Sequence, residues 1–291
     1  MMRAAQARGH GVFVCEQTAV RWAKKSVLAR ATRISLADND EDWYRAHETV
    51  ERPLFEFDAV LMRKDPPFDM EYVASTWLLS EAERQGASVF NAPRALRDHN
   101  EKFAIAEFSE FTVPSLVARA MEDLQAFIDE HRNVVLKRLD GMGGAGIFVV
   151  RHDDPNRNVI VETISAGGER SVMAQRYIPE IAQGDKRVLV IDGKIAPYCL
   201  ARIPKPGESR GNLAAGARGV AQPVTGRHRE IAAALGPRLA ERGLLFVGLD
   251  VIGDYLTEVN VTSPTCFREI QDQTGFDVSG MFMDALESKL S

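Results

Sequence analysis

Apolar residues in this chain occur in short runs divided by charged and glycine-rich stretches. Met1–Arg8 reads as a short helix ended by Gly9, and Gly11–Glu16 as a strand. Trp22–Leu36 alternates irregularly, as a strand or hairpin does. Asp42–Glu51 is polar and reads as a helix. Phe57–Arg63 is an apolar run, read as a buried strand, that enters the turn Lys64-Asp65-Pro66-Pro67. Asp69 can cap a helix over Met70–Gln85 that Gly86 ends. Ser88–Asn91 is a short strand. Strands alternating with helices predict a parallel α/β layer. Ala4–Val14 then reads as a helix end entering a second parallel strand, which calls for a strand before that helix. We expect this strand and its turn, about two dozen residues, to be encoded in frame upstream of Met1.

Pro93–Phe108 reads as a helix broken near Asn100, with Glu101 and Lys102 at the break. Val113–Val117 opens a second segment. Met121–His131 is an amphipathic helix with Leu124, Phe127 and Ile128 inward. Strands Val134–Lys137 and Ile147–Arg151 flank a loop, Arg138–Gly146, that holds Gly141, Gly143, Gly144 and Gly146. Such a loop leaves backbone N–H groups free to cradle an anion, and Lys137 and Arg138 add positive charge at its root. It has neither the Walker A nor the dinucleotide-fold pattern. Ser171–Tyr177 is a strand leading to Ile178-Pro179. Asp185–Gly193 and Ala196–Ile203 form a hairpin that carries Arg187 and Arg202, each by itself the pattern of a surface charge. Lys205–Gly219 is glycine-rich, lacks an apolar period and carries Arg210 and Arg218; it reads as a mobile lid or a disordered excursion. Arg227–Arg242 is a helix kinked at Pro237, and Asp277–Leu290 is an amphipathic helix.

The densest chemistry lies between these two helices. Leu244–Ile252 is an apolar strand interrupted by Asp250, and Leu256–Val261 returns with Glu258 and Asn260. Residues two apart on a strand share a face, so Glu258 and Asn260 point one way. Two carboxylates and an amide oxygen would suit Mg²⁺, a hard cation that also binds nucleotide phosphates. A two-residue turn at Gly253-Asp254 would pair Asp250 with Thr257 and put Glu258 on the other face. The three can converge only if the hairpin holds one extra residue. The plainer alternative for Asp250 is an ordinary salt bridge.

Composition narrows the class. The 291 residues suffice for one large or two ordinary domains. A formal net charge of −5 gives no global basic surface for nucleic acid. No run approaches the roughly 18 apolar residues of a membrane span, and residues 1–8 lack a signal-peptide core. Cys15, Cys199 and Cys266 show no disulfide or zinc spacing, which fits a reduced, cytoplasmic setting.

The order of lysine, glycine loop, Arg187 strand and Asp…Glu-x-Asn hairpin resembles the ATP-grasp superfamily. Met62–Asp69 (Met-Arg-Lys-Asp-Pro-Pro-Phe-Asp), Leu139–Gly144, Arg210–Ala215 and Thr257–Pro264 resemble bacterial glutathione synthetases, across nearly the whole chain. Arg138 departs from that family, which has proline after the lysine. The resemblance implies an α/β protein: an N-terminal parallel-sheet (pre-ATP-grasp) domain over 1–100, lacking its first strand, then a two-lobed ATP-grasp domain over 101–291. The lid lobe would span about 110–176 and the metal-binding lobe about 177–291. It implies ligation of γ-glutamylcysteine to glycine with MgATP, or Mn²⁺ in place of Mg²⁺, in a cytoplasmic homo-oligomer, a tetramer by resemblance.

The implied roles follow by position. Lys102 and Lys137 hold ATP phosphates, and Gly141, Met142, Gly143, Gly144, Ala145 and Gly146 cover them. Gln175, Arg176, Tyr177 and Ile178 form the adenine hinge, and Arg187 meets phosphate. Asp250, Glu258 and Asn260 bind the cation. Arg63, Asp65, Arg202, Arg210 and Ser263 serve the peptide and the acyl phosphate, with Arg202 and Arg210 closest to the chemistry. Two other classes share parts of this pattern. One is another ATP-grasp ligase that adds glutamate or joins D-alanines; the other is a non-catalytic nucleotide-binding protein, for which an intact Asp250, Glu258 and Asn260 would have no use.

Overall fold

The computed structural model describes residues 1–290. The first third of the chain is built round one long strand. Helix α1 (Met2–Ala7) leads to β1 (Val12–Val14), β2 (Val20–Ala23), β3 (Ser26–Leu36) and β4 (Tyr44–Pro53). β3 pairs antiparallel with β1 and β2 along one edge and with β4 along the other. Two expectations change here. Val12–Val14 is antiparallel to its neighbour rather than part of a parallel layer, because β3 is long enough to offer its edge to both β1 and β2. Asp42–Glu51 is not helical: Tyr44–Pro53 is a strand, running from a Leu36–Tyr44 pair to a Leu28–Pro53 pair. Its side chains are almost all exposed, so it has no apolar stripe by which a helix could dock.

The parallel element is a short pair, β5 (Val60–Leu61) with β6 (Val89–Phe90), joined through helix α2 (Met70–Arg84). Only Val60 and Leu61 of the expected Phe57–Arg63 strand are laddered, because the partner β6 is itself two residues long. Asp69 caps α2 by accepting the Tyr72 N–H at 2.9 Å. Helix α3 (Pro93–Asp98) and a 3₁₀ segment, Phe103–Phe111, follow, with the expected break at Asn100.

Next come β7 (Ser115–Ala118), α4 (Met121–His131), β8 (Asn133–Arg138), β9 (Ile147–Arg151), α5 (Arg157–Ser165) and β10 (Val172–Arg176). The four strands form one antiparallel sheet ordered β7-β10-β8-β9. Leu124 and Ile128 of α4 and Val161 and Ile164 of α5 pack on Leu136, Val150 and Ala174 beneath them. The glycine loop is the β8–β9 connection.

The last part holds β11 (Asp185–Ile191), β12 (Lys194–Ile203), β13 (Arg218–Pro223), α6 (Gly226–Glu241), β14 (Phe246–Ile252), β15 (Tyr255–Asn260), α7 (Phe267–Thr274) and α8 (Val278–Leu290). The strands make an antiparallel sheet ordered β13-β12-β11-β14-β15. One face, with Val188, Val190, Leu249 and Val251, packs on Ile231, Leu235 and Leu239 of α6 and on the 3₁₀ segment. On the other face Leu189, Ile191, Leu200 and Phe246 lie under α7 and α8. Further along those strands this second face stops being apolar and carries Asp185, Arg187, Arg202 and Asp250. No helix among the described residues is long and apolar enough to cross a membrane.

Asn91, directly after β6, ties the parallel pair to the large sheet. Its amide donates to the carbonyls of Phe246 and Val261, both at 2.8 Å, and its oxygen accepts the Phe246 N–H at 2.9 Å. All these groups are buried, and each buried group stranded without a partner costs about 1–3 kcal/mol. Asn91→Ala should therefore lower unfolding stability by about 3 kcal/mol in a urea titration. A loss under about 1 kcal/mol would show that water or backbone shifts replace the amide.

Candidate active site

Register alone assembles the charged half of the sheet. Across the strands Arg187 lies opposite Asp250, Asp250 opposite Glu258, and Asp185 opposite Arg202. The extra residue that convergence requires is present. Ile252 pairs with Tyr255 and Val251 with Leu256, then the register shifts so that Asp250 meets Glu258. Thr257 is the bulged residue, and its hydroxyl donates to the Asp250 carbonyl at 3.1 Å. The bulge keeps the two carboxylates on one face.

Asp250 is also ion-paired. Arg187 donates to both its oxygens, at 2.6 and 3.2 Å, and Arg202 to one at 2.9 Å. Arg187 and Arg202 are thus buried partners and not surface charges, with side chains only 8% and 4% exposed. Arg202 bonds Asp185 as well, at 2.6 Å. Burial would drive the Asp250 carboxyl up, but the two guanidiniums outweigh it and hold it well below the carboxylate range. Asp185 goes the other way: burial pushes it up to about 6 although Arg202 opposes. Its Oδ1 is buried with no partner and it faces the cavity.

Two lysines complete the charge set. Lys137, on β8, points across to Glu258 at 3.3 Å, and the Lys102 ammonium donates to the Gly141 carbonyl at 2.6 Å. Both are buried. Burial works against the Glu258 carboxylate, but Lys102 and Lys137 outweigh it and keep the carboxyl below its ordinary range. Asn260 donates to the Gly248 carbonyl at 3.2 Å, which leaves its amide oxygen for another partner.

The cavity between the two sheets is lined by Lys102, Lys137, Gly141–Ala145, Gln175–Ile178, Asp185, Ser209–Asn212, Asp250 and Glu258. Its roof has two loops in contact. A Cβ on Gly144, where φ is +83°, would lie 2.7 Å from the Asn212 side chain of the second loop. Arg138 forms a two-pronged pair with Asp140, at 2.9 and 2.7 Å, which braces the root of the glycine loop. Arg210 pairs with Glu208 at 2.5 Å. Arg63, Asp65 and Ser263 cluster nearby. Arg63 donates to the Pro264 carbonyl at 2.8 Å and lies over the Phe246 ring, while the Ser263 hydroxyl donates to Asp65. Burial pulls the Arg63 guanidinium down to about 10.

The model of the prokaryotic glutathione synthetase N-terminal domain matches residues 1–97, and that of the prokaryotic glutathione synthetase ATP-grasp domain matches 101–275. The chain belongs to the prokaryotic glutathione synthetase family. It is 58% identical to the glutathione synthetase of Ralstonia nicotianae over 287 residues, covering 99% of this chain and 89% of that one. It is 53% identical to that of Pseudomonas aeruginosa over 291 residues, covering 100% and 92%. Among solved structures, D-cycloserine synthetase DcsG superposes with a TM-score of 0.65 at 17% identity, covering 82% of this chain and 86% of that one. The ATP-grasp ligase PsnB, complexed with precursor peptide PsnA2 and AMPPNP, superposes at 0.61 with 21% identity, covering 99% and 92%. At such identities these two show the shared fold.

The structure thus brings Lys102, Lys137, the glycine loop, Gln175–Ile178, Arg187, Arg202, Arg210, Asp250 and Glu258 to one cleft or its buried edge. Gly146 ends the loop against Arg138, and Asn260 continues the Glu258 strand. Arg63, Asp65 and Ser263 form a separate cluster beside them. Asp185, Asn212 and Gly248 are site residues that the sequence pattern did not single out. The one signal for Asp185 was its two-residue spacing from Arg187. Gly248 makes room for Arg187: a Cβ there would lie 2.7 Å from the Arg187 Cδ and 3.0 Å from the Pro264 Cβ. Gly248→Ala should displace Arg187 from Asp250, costing about 1–3 kcal/mol in thermal or urea unfolding. Ligase activity should fall roughly tenfold or more, since small misplacements at a site are expensive. Unchanged stability and rate would mean that Arg187 has another resting place.

Proposed function

We propose that this chain carries out ATP-dependent glutathione synthesis, joining γ-glutamylcysteine to glycine. Its domains divide near residue 100, with the second forming the two ATP-grasp lobes. One observation carries the reading: the Thr257 bulge sets Glu258 beside Asp250, facing Lys102 and Lys137 under a glycine loop. Residues of this kind have little use except where several negative charges must be held together.

The chemistry asks for that. A carboxylate is a poor electrophile. Its oxygen attacks the γ-phosphorus of ATP, ADP leaves, and an acyl phosphate results. The glycine amine then attacks the carbonyl carbon, and phosphate departs with the carboxylate oxygen. Lys102 and Lys137 take the phosphates and draw the anions together. Arg187 and Arg202, fixed by Asp250 and Asp185, extend the positive field towards the transferring group. The hinge Gln175–Ile178 seats adenine. Arg63, Asp65 and Ser263 hold the peptide. Arg210 exchanges Glu208 for the substrate's charge as the lid closes and excludes water from the acyl phosphate.

A divalent cation fits the donor set. Glu258 and Asn260 each keep an oxygen acceptor position. Asp250 has about four such positions, of which the arginines use three. Mg²⁺ or Mn²⁺ bound there supplies neutralisation of phosphate charge. The reading includes a cytoplasmic setting, where ATP is supplied and Cys15, Cys199 and Cys266 stay as free thiols. Exposed Trp22, Trp77, Met70 and Phe55 on the N-terminal unit favour a homo-oligomer, such as a tetramer, in which they are covered.

ADP release that depends on both γ-glutamylcysteine and glycine, with glutathione identified by mass, tests the reaction. Release supported instead by glutamate or D-alanine would reassign the substrate. Glu258→Gln should lower kcat by roughly 10²–10³-fold; it also takes the carboxylate from buried Lys137, so turnover is compared per folded molecule. Near wild-type turnover at modest Mg²⁺ would refute its role. Asp250→Asn differs, because it strands two buried arginines; about 3–5 kcal/mol of stability should go with the activity. Arg218 and Gly219, at the end of the expected Lys205–Gly219 lid, pair in β13; the remaining residues, 205–217, should be the first site of proteolysis in the free enzyme and be protected by ATP with peptide. Equal cleavage in both states would remove the lid.

A further inference from the structure

β15 is the outer strand of its sheet, and Glu101, in the turn Asn100-Glu101-Lys102, bonds along its open edge. The Val259 N–H donates to the Glu101 carbonyl at 2.8 Å. Further along, one Glu101 carboxylate oxygen accepts three donors: the Val261 and Thr262 N–H groups, both at 2.9 Å, and the Thr262 hydroxyl at 2.8 Å. Charge-assisted bonds to backbone N–H groups are stronger and shorter than neutral ones. The Asn100 oxygen accepts from the Lys102 and Phe103 N–H groups at 3.1 and 3.0 Å, which fixes the turn. Its amide donates to the Leu139 carbonyl at the root of the glycine loop, at 3.0 Å. Lys102 then reaches Gly141 within that loop.

Three consecutive residues therefore grip three parts of one site. Neither Asn100 nor Glu101 lines the nucleotide cavity, so their effect must pass through what they hold. Of the residues bonded to Glu101, Val259 lies between Glu258 and Asn260 on β15, and Val261 and Thr262 follow Asn260 directly. An outer strand that ends without cover frays, and a shift of about 1 Å at a reacting centre can cost 100-fold in rate.

We propose that Glu101, assisted by Asn100, is a positioning residue that sets the distance between Lys102 and the Glu258–Asn260 edge. That distance is the gap in which nucleotide phosphates and cation meet. The inference rests on the phosphate-site reading above. The alternative is a clamp that only stabilises the fold, and it makes a different prediction: activity would be lost in proportion to unfolded protein, with kinetics per folded molecule unchanged.

The test compares wild type, Glu101→Ala, Glu101→Gln and Thr262→Val for kcat, ATP KM, half-activating Mg²⁺ and folded fraction. Glu101→Ala should lower kcat per folded molecule by roughly 30–100-fold and raise half-activating Mg²⁺ roughly fivefold, with metal-free ADP affinity within about twofold. Glu101→Gln keeps a carbonyl acceptor and should recover roughly tenfold of that loss. Thr262→Val removes one of three donors and should cost kcat about fivefold without unfolding. Glu101→Ala kinetics within about threefold of wild type per folded molecule overturn the proposal. If that variant does not fold, the other two decide: wild-type kcat and Mg²⁺ dependence in both overturn it. A wild type that makes no glutathione would overturn the functional reading itself; an active wild type with unaltered variants overturns the positioning role alone.

Discussion

The structure depends on how one face of a β-sheet tolerates buried charge. Asp250 sits at the centre of that face with Arg187 and Arg202 on its two oxygens, and Asp185 completes the group. An isolated charge in this position would be prohibitive, so none can be removed without stranding another. The same commitment gives the site its rigidity. The arginines cannot swing into solvent, because their carboxylate partners are fixed by strand register. Positive charge is therefore in place before any nucleotide arrives, the condition under which electrostatics lowers a barrier without reorganisation at the moment of reaction.

A single inserted residue decides which charges share the face. Without Thr257 as a bulge, the Gly253-Asp254 turn would send Glu258 to the α6 side, into the cluster of Val188, Leu249 and Leu235. With it, Glu258 faces Lys137 and Lys102, which come from a different sheet and a different turn. Three separate parts of the chain meet at the cleft, and the contacts that matter are those fixing them relative to one another. Asn91 fixes the first unit to β14. Glu101 fixes the Lys102 turn to β15, and Gly144 lets the glycine loop approach the loop that carries Asn212.

Much of this was legible before the fold was known. Short, largely apolar runs bounded by glycine or turn residues marked β8, β9, β11 and the β14–β15 hairpin, because strands buried on both faces are apolar throughout. The need for a bulge followed from the oxygen donors alone. Arg187 and Arg202 were not legible from their own neighbourhoods: a charged residue in a strand looks the same whether it meets water or a carboxylate three strands away in sequence. β4 was missed because its stability comes from pairing with β3 and leaves no hydrophobic pattern. Helix α7 was missed because it begins after Cys266, which adopts a left-handed backbone that sequence does not announce. Glu101 was visible only as a break between helices, since its three donors lie 160 residues and more away.

The measurement closest to the central claim is a crystal structure with ADP and Mn²⁺, the cation located by its anomalous scattering. The expected result is a peak at the Glu258–Asn260 edge, about 2 Å from their side-chain oxygens, with Asp250 still held by Arg187 and Arg202. A cation elsewhere with ADP in the cleft, or Asp250 and Glu258 on opposite faces of the hairpin, would contradict it.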